Sequence, residues 1–262
     1  LGYKVTYLSV NRQGQLDLYE LDNALTDDTA LVSVMYANNE TGVIFPVEEV
    51  GKRAKAYGAL FHVDGVQAVG KIPVNMKNST IDMLTLSGHK IHAPKGIGAI
   101  YVRKGVRFRP SIIGGGQERG RRAGTENVPA IIALGKAAEL ELQHLELAGK
   151  RQKTLRDRLE NAIIESVGEC EINGGGTQRL PNTTNIGFKY IEGEAILLLL
   201  NQHGICASSG SACSSGSLEP SHILRSMGVP YTTLHGSIRF SLSRYNTDAD
   251  IDAVLAVLPA IV

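Results

Sequence analysis

The chain has 262 residues, of which 43% are hydrophobic and 20% are charged, and its formal net charge is +1. This composition indicates a globular protein with one large domain, or with one domain and a second, smaller one. The balanced charge gives no electrostatic reason to expect a nucleic acid partner. The longest apolar run, residues 195–200, is far too short to cross a membrane. The chain has only three cysteines, and this small, odd number argues against a disulfide framework. It favours a reducing, cytoplasmic location.

The first half of the sequence predicts a parallel sheet. Short apolar runs rich in β-branched residues predict strands, at residues 31–36, 59–63, 82–86 and 97–102. Between the first two runs, residues 46–57 predict a helix, with proline in its first turn and glycine just after its end. A strand, a helix and a strand in this order form a βαβ unit, whose two strands are parallel.

The second half predicts a long helix followed by a smaller α/β unit. Apolar residues keep helical spacing over residues 129–167, and the spacing resumes after Gly149. The later elements are a strand, a helix, a strand and a final helix, at residues 184–188, 192–202, 237–241 and from Thr247 onward. We therefore predict a large domain at residues 1–145 and a small C-terminal domain at residues 146–262.

A polar cluster, Ser87-Gly88-His89-Lys90, follows one of the predicted strands. Ligands of open α/β sheets bind beyond the carboxyl ends of the strands. A lysine there can form a Schiff base when its amine is partly desolvated, and serine and histidine are suitable donors to a phosphate. Taken alone, the segment is more often a polar loop with a solvated lysine.

Asp64 ends a neighbouring predicted strand, so its carboxylate is expected at the same edge of the sheet. Pyridoxal phosphate requires a carboxylate that keeps its pyridine nitrogen protonated. Gln67, three residues further on, could reach the ring hydroxyl. A turn or capping role explains Asp64 alone equally well. Together, Asp64 and Lys90 at two strand ends favour a site for pyridoxal phosphate.

Residues 38–42, Asn-Asn-Glu-Thr-Gly, follow the first predicted strand at the same edge. An amide such as that of Asn39 can bind a ring oxygen or a carboxylate, although asparagine and glycine are also common in plain turns. Arg239 lies between two apolar residues of a predicted strand and faces away from them. A guanidinium binds a carboxylate through two parallel hydrogen bonds, which suits an amino-acid substrate.

Residues 208–217 contain six serines and two glycines around Cys213. This composition is typical of a flexible tether, and a cysteine in a mobile polar loop is exposed to reaction, so we favour a functional thiol over an incidental one. Residues 113–125 are glycine-rich and basic, and their amides with Thr125 could hold a phosphate, but this signal is weak. The sequence predicts no metal site, because His89 and His92 have no further clustered ligands.

These motifs resemble the cysteine desulfurases of the nitrogen-fixation and iron–sulfur-cluster branch, within the aminotransferase class V group of pyridoxal-phosphate enzymes. The resemblance runs along essentially the whole chain. Its most specific segments are residues 38–42, 62–67, 87–90, 114–125 and 209–220. The long serine-rich loop at Ser209-Gly210-Ser211-Ala212-Cys213 matches the nitrogen-fixation type most closely.

The resemblance implies the aspartate aminotransferase-like fold of pyridoxal-phosphate transferases, in which residues 1–145 would bind the cofactor and residues 146–262 would carry the cysteine loop. It also implies roles for single residues, which are Lys90 as the Schiff-base lysine, Asp64 and Gln67 at the pyridine nitrogen and ring hydroxyl, Ser87 and His89 at the phosphate, Thr125 at the phosphate of a neighbouring subunit, Asn39 and Arg239 at the substrate carboxylate, and Cys213 as the sulfur acceptor.

The implied reaction converts L-cysteine to L-alanine and leaves a persulfide on Cys213 for iron–sulfur cluster assembly. The implied partners are a second copy of the chain and a scaffold protein that accepts sulfur. Members of this group have a phosphate-binding turn and a ring-stacking histidine upstream of the matching region, and neither has a counterpart here. We therefore expect this chain to be a fragment, with poor cofactor binding on its own.

Two alternatives compete with this interpretation. Another class V enzyme, such as a selenocysteine lyase or an aminotransferase, would share Lys90, Asp64 and Arg239 but would have no use for a serine-rich cysteine loop. A non-catalytic fragment that binds a scaffold protein would agree with the missing upstream part. The presence of Lys90, Asp64 and Cys213 argues against that second alternative.

Overall fold

A computed structural model describes residues 2–210 and 220–262 of the chain. The described residues form two compact units. Residues 25–36 and 46–145 form the first, here called the parallel-sheet unit. The antiparallel-sheet unit comprises the described residues among 1–24, 37–45 and 146–262.

The strands of the described residues, in chain order, are β1 (Leu31–Met35), β2 (Leu60–Asp64), β3 (Met83–Ser87), β4 (Gly98–Val102), β5 (Gly116–Gln117), β6 (Arg122–Ala123), β7 (Cys170–Ile172), β8 (Thr183–Phe188) and β9 (Ser237–Ser241). The helices are α1 (Leu18–Ala24), α2 (Val47–Ala56), α3 (Val128–Ser166), α4 (Gly193–Gln202), α5 (His222–Ser226), α6 (Tyr231–Leu234) and α7 (Asp248–Ile261), and 3₁₀ turns lie at Gly88–Ile91 and Glu118–Gly120.

The parallel-sheet unit contains a four-stranded sheet with the order β1-β2-β3-β4. The pairs β1–β2 and β2–β3 are parallel, which confirms the predicted βαβ unit. β4 pairs with β3 in the antiparallel direction, which the sequence did not predict. Helix α2 packs closely on its own unit, since a Cβ atom on Gly51 would lie 1.9 Å from Thr80 Oγ1 and 2.8 Å from the Phe61 ring.

Parallel pairing determines where the polar ends of β2 and β3 lie. Asp64, the last residue of β2, is in register with Thr85 of β3, and Ser87 ends β3 two residues later. The two carboxyl ends therefore lie side by side at one edge of the sheet. This is the position at which open α/β sheets bind ligands.

The antiparallel-sheet unit contains the sheet β7-β8-β9 and a core of helices packed against it. Its fully buried apolar side chains come from α3, α4, α7, β8 and β9, and they include Ile163, Ile196, Ile251, Phe188 and Ile238. Burial of such side chains contributes about 1.5–3 kcal/mol each relative to exposure, so this core can hold its strands rigidly.

The units differ from the predicted domains for residues 1–24 and 37–45, which group with residues 146–262 rather than with the parallel sheet. The reason is local pairing: Val43 is buried and forms a β-bridge with Arg179, and the Leu180 amide donates to the carbonyl of Gly42. Helix α3 passes through the predicted boundary at residue 145 and through Gly149 without a break. Among the described residues, no helix is both long enough and apolar enough to span a membrane.

Candidate cofactor and substrate site

The Asp64 carboxylate lies at the end of β2, where the chain enters a series of turns. Its Oδ1 accepts a hydrogen bond of 2.9 Å from the amide of Val66, and the Gly65 amide donates to the carbonyl of Thr85 on β3. These bonds fix the carboxylate relative to both strands. Gln67, which is half-buried, lies in the turn that follows.

The 3₁₀ turn Gly88–Ile91 carries His89 and Lys90 directly after β3. The Ser87 hydroxyl and His89 Nδ1 are 2.8 Å apart and form a hydrogen bond. Ile91 is buried, whereas the side chains of His89 and Lys90 are exposed. The turn is anchored through Ile91 and presents its polar side chains outward.

Gly88 is required for the close approach of this turn to the chain before β4. Its amide donates to the carbonyl of Ile97 at 2.9 Å, and a Cβ atom would lie 2.8 Å from the Ile97 side chain and 3.0 Å from its carbonyl oxygen. Any larger residue would therefore displace the segment that carries Lys90. The glycine is part of what positions the lysine.

Thr125 lies in the same unit, after the small hairpin of β5 and β6. Its side chain is exposed, and the preceding Gly124 amide donates to the carbonyl of Gly115. The structure therefore presents Thr125 on the surface.

The Asn38–Gly42 turn is built by side-chain hydrogen bonds in the antiparallel-sheet unit. Asn38 Oδ1 accepts from the amides of Glu40 and Thr41, at 2.8 and 2.9 Å, and Gly42 has a φ of +76°. Asn38, Glu40 and Thr41 are all buried. The turn is a rigid element, and Asn39 is its half-buried member.

Arg239 of β9 binds this turn directly. Its Nη1 donates to the carbonyl of Asn39 at 3.0 Å and to the carbonyl of Gly210 at 3.1 Å. The backbone of Arg239 also forms an antiparallel bridge with Ser208. The structure thus brings together the two residues predicted to bind a substrate carboxylate. Cys213 lies outside the described residues.

Two further polar groups were missed by the sequence analysis. His62 shares a sheet face with Asp64, and its Nδ1 lies 2.8 Å from the Ser33 hydroxyl and its Nε2 3.3 Å from that of Thr85. Burial lowers the pKa of His62, and the nearby Asp64 carboxylate only partly opposes this. The ring is therefore favoured in its neutral form. The second group is the carboxyl of Glu40, which is fully buried.

The predicted residues fall into two groups. Asp64, Ser87, His89 and Lys90 lie at the adjacent ends of β2 and β3 in the parallel-sheet unit, and Thr125 lies on the surface of that unit. Asn39 and Arg239 contact one another in the antiparallel-sheet unit. The first group offers an amine, a carboxylate, a hydroxyl and an imidazole at one sheet edge, a donor set that suits pyridoxal phosphate.

The chain matches the family model described as aminotransferase class-V over residues 1–254. A cysteine desulfurase from Nostoc sp. is 74% identical to it over 261 residues, and the NifS cysteine desulfurase of Azotobacter vinelandii is 58% identical over the same length. Both alignments cover 100% of this chain and 65% of the relative, so the chain spans less than two thirds of these curated proteins.

A solved structure described as a NifS-like protein superposes with a TM-score of 0.90 at 40% identity, over 99% of this chain and 68% of that one. The predicted α/β fold class is confirmed by this match and by the sheet order. The chain belongs to the aminotransferase class-V family. Within that family, the relatives named above are cysteine desulfurases of the NifS-like kind.

Proposed function

We propose that the protein containing this chain is a pyridoxal-phosphate-dependent cysteine desulfurase that converts L-cysteine to L-alanine. The observation that carries the proposal is the placement of Asp64 and the Ser87–Lys90 segment at the paired ends of β2 and β3. The names of relatives that are 58 and 74% identical support the same assignment.

Each residue at this edge has a proposed role toward the cofactor. Lys90 would bind it covalently, Asp64 would hold the proton on the pyridine nitrogen, and Gln67 would bind the ring hydroxyl. Ser87 and His89, already hydrogen-bonded to each other, would donate to the phosphate. When bound, pyridoxal phosphate supplies an electron-accepting ring that acidifies the α-carbon of an amino acid.

The substrate carboxylate is proposed to bind at Asn39 and Arg239. The guanidinium is held in place by two backbone carbonyls, so its orientation is fixed before the substrate arrives. A preorganised guanidinium loses less conformational entropy on binding a carboxylate than a mobile one does. The Lys90 amine, when it is not bound to the cofactor, would take the proton from the substrate α-carbon and return a proton to that carbon before alanine leaves.

Cys213 is proposed as the sulfur acceptor. Its thiolate would attack the sulfur of bound cysteine, so that a new S–S bond forms and the bond between that sulfur and the substrate Cβ breaks. The electron pair of the broken bond stays with Cβ, which is protonated to give alanine. The serine- and glycine-rich composition around Cys213 supports the reach that this transfer needs.

We also propose a homodimer in which Thr125 binds the phosphate of the partner's cofactor, a scaffold protein for iron–sulfur cluster assembly as the final sulfur acceptor, and a cytoplasmic location. The exposure of Thr125 supports the first, and the sparse cysteines support the last.

The test uses the purified holoprotein and three variants, Lys90→Ala, Lys95→Ala and Cys213→Ala. After borohydride reduction, mass spectrometry should find the pyridoxyl adduct on Lys90, and it should be absent only from Lys90→Ala. Cys213→Ala should keep the cofactor and its spectral response to L-cysteine but lose persulfide and alanine formation. An adduct on another lysine, or undiminished turnover in Cys213→Ala, would contradict the proposal.

A further inference from the structure

Glu40 is a fully buried carboxyl group that none of the proposed roles uses. It is 0% exposed, and its Oε2 accepts a hydrogen bond of 2.6 Å from the Ser221 hydroxyl. Its Oε1 has no hydrogen-bond partner in the part of the chain that the structure describes. Burying a carboxyl with incomplete hydrogen bonding is costly, so its retention in the interior requires an explanation.

Ser221 connects Glu40 to the chain that follows residues 211–219. Its hydroxyl caps α5 by accepting from the amides of Ile223 and Leu224, at 3.2 and 3.3 Å. Leu224 is buried in a small apolar cluster with Met227 and Val229. Glu40 therefore binds the cap of a helix that is anchored in the interior of its unit.

Gly210 brings the chain that precedes residues 211–219 to the same carboxyl. Its carbonyl accepts from Arg239 Nη1, which also binds Asn39. A Cβ atom on Gly210 would lie 2.8 Å from Glu40 Oε2, and its φ of +99° also favours glycine. Gly210 thus lies directly against the Glu40 carboxyl.

One rigid turn therefore holds two points of the chain that flank Cys213. We propose that Glu40 is a positioning residue that holds Ser221 by a hydrogen bond and packs against Gly210, so that the described residues on either side of Cys213 in the sequence lie at the Asn38–Gly42 turn, beside Arg239. The consequence of this role for catalysis rests on the proposed function. Holding the chain on both sides of a reactive group close to the other reactant raises the effective concentration of that group. Here the group is the Cys213 thiol, and Arg239 is the proposed binding residue for the other reactant.

The experiment compares Glu40→Ala, Glu40→Gln and Ser221→Ala in the holoprotein. Glu40→Ala and Ser221→Ala remove the same hydrogen bond from opposite sides, whereas Glu40→Gln keeps an oxygen that can accept it. The matched control is Glu48→Ala, because Glu48 also accepts a 2.6 Å hydrogen bond from a serine, Ser79, in the other unit. Ser221→Ala keeps the test decisive if Glu40→Ala does not fold, but it also removes the cap of α5, so for this variant only the peptide covering residues 206–210 is diagnostic.

The first measurement is hydrogen exchange in peptides covering residues 206–210 and 220–226, which does not depend on activity. We expect exchange to accelerate about tenfold in Glu40→Ala and Ser221→Ala, the loss expected for one hydrogen bond. Glu40→Gln and Glu48→Ala should leave these peptides near the wild-type rate. Unchanged exchange in both Glu40→Ala and Ser221→Ala would overturn the proposal.

The second measurement separates positioning from substrate binding. In Glu40→Ala, persulfide formation on Cys213 should slow about tenfold, while the cofactor's spectral response to L-cysteine keeps its concentration dependence. An equal loss in that response would overturn the positioning role, since Glu40 would then act on substrate binding. If the wild-type protein forms no persulfide, the proposed function fails, and the exchange measurement alone decides whether Glu40 holds Ser221 and Gly210.

Discussion

Glu40 and Glu48 have pKa values displaced in opposite directions. Burial raises the pKa of Glu40, and hydrogen bonding by Ser221 with the charges of Arg239 and His222 does not fully offset it. Burial also acts to raise the pKa of Glu48, but hydrogen bonds from Ser79 and Thr80 outweigh it, so that pKa is lowered. Glu40 is fully buried and accepts one hydrogen bond, whereas Glu48 is only partly buried and accepts three, so burial and the number of donors together decide the direction of each shift.

Glu48 is therefore expected to make stability depend on pH. Its folded-state pKa lies below the ordinary value of 4.5, so its contribution is present above that pH and is lost as the pH falls through the folded-state pKa. Glu48→Gln should lower the free energy of unfolding at pH 7, and its difference from wild type should shrink below about pH 4.5. Chemical denaturation at several pH values measures this difference.

Ser79→Ala provides the control, because it removes a donor to Glu48 but no titrating group. This variant should show a weaker pH dependence than wild type and a stronger one than Glu48→Gln. A difference between Glu48→Gln and wild type that stays constant from pH 7 to pH 3 would show that the carboxylate contributes packing rather than charge.

At the level of single residues, the sequence could predict groups that stand at strand ends. Asp64 and Lys90 were identifiable because strand pattern and side-chain chemistry coincide in one segment. Glu40 and Ser221 were not, because they are 181 residues apart and only the tertiary fold brings them together. His62 had a usable signal, since it lies two residues before Asp64 and so shares its sheet face.

At the level of elements, the sequence predicted the strands and helices with strong apolar periodicity. β8 was expected at residues 184–188 and lies at Thr183–Phe188, and α4 was expected at residues 192–202 and lies at Gly193–Gln202. Short elements such as β7 and α5 contain too few residues to show a period. The antiparallel direction of β4 depends on the connection after Ile91, which apolar pattern does not encode.

Two helical glycines give a matched pair of predictions. Gly135 of α3 has nothing within 4 Å of the position of an added Cβ atom, so Gly135→Ala should raise the free energy of unfolding by about 0.5–1 kcal/mol. Gly51→Ala in α2 should lower it, because its Cβ would clash with Thr80. Urea denaturation of both variants measures the two changes, and a loss of stability in Gly135→Ala would contradict the first.

At the scale of the whole molecule, large apolar side chains are exposed on both sides of Thr125 in the sequence. Ile113 is 89% exposed and Ile112 50%, while Val128 and Ile132 at the start of α3 are 54% and 68% exposed. Exposed apolar side chains of this size often mark surfaces of association. They support the proposed homodimer in which Thr125 serves the partner's site.

Subunit complementation tests that arrangement. Lys90→Ala and Thr125→Ala should each be nearly inactive as homodimers. In a mixed dimer, one site has both defects, and the other combines an intact Lys90 from one subunit with an intact Thr125 from its partner. Refolding an equal mixture should produce mixed dimers as about half of the population, which restores about a quarter of wild-type activity.

The control mixes Lys90→Ala with Asp64→Ala, two residues of the same unit, whose mixed dimers contain no intact site. Equal recovery in both mixtures, or none with Thr125→Ala, would show that Thr125 does not act across a subunit interface.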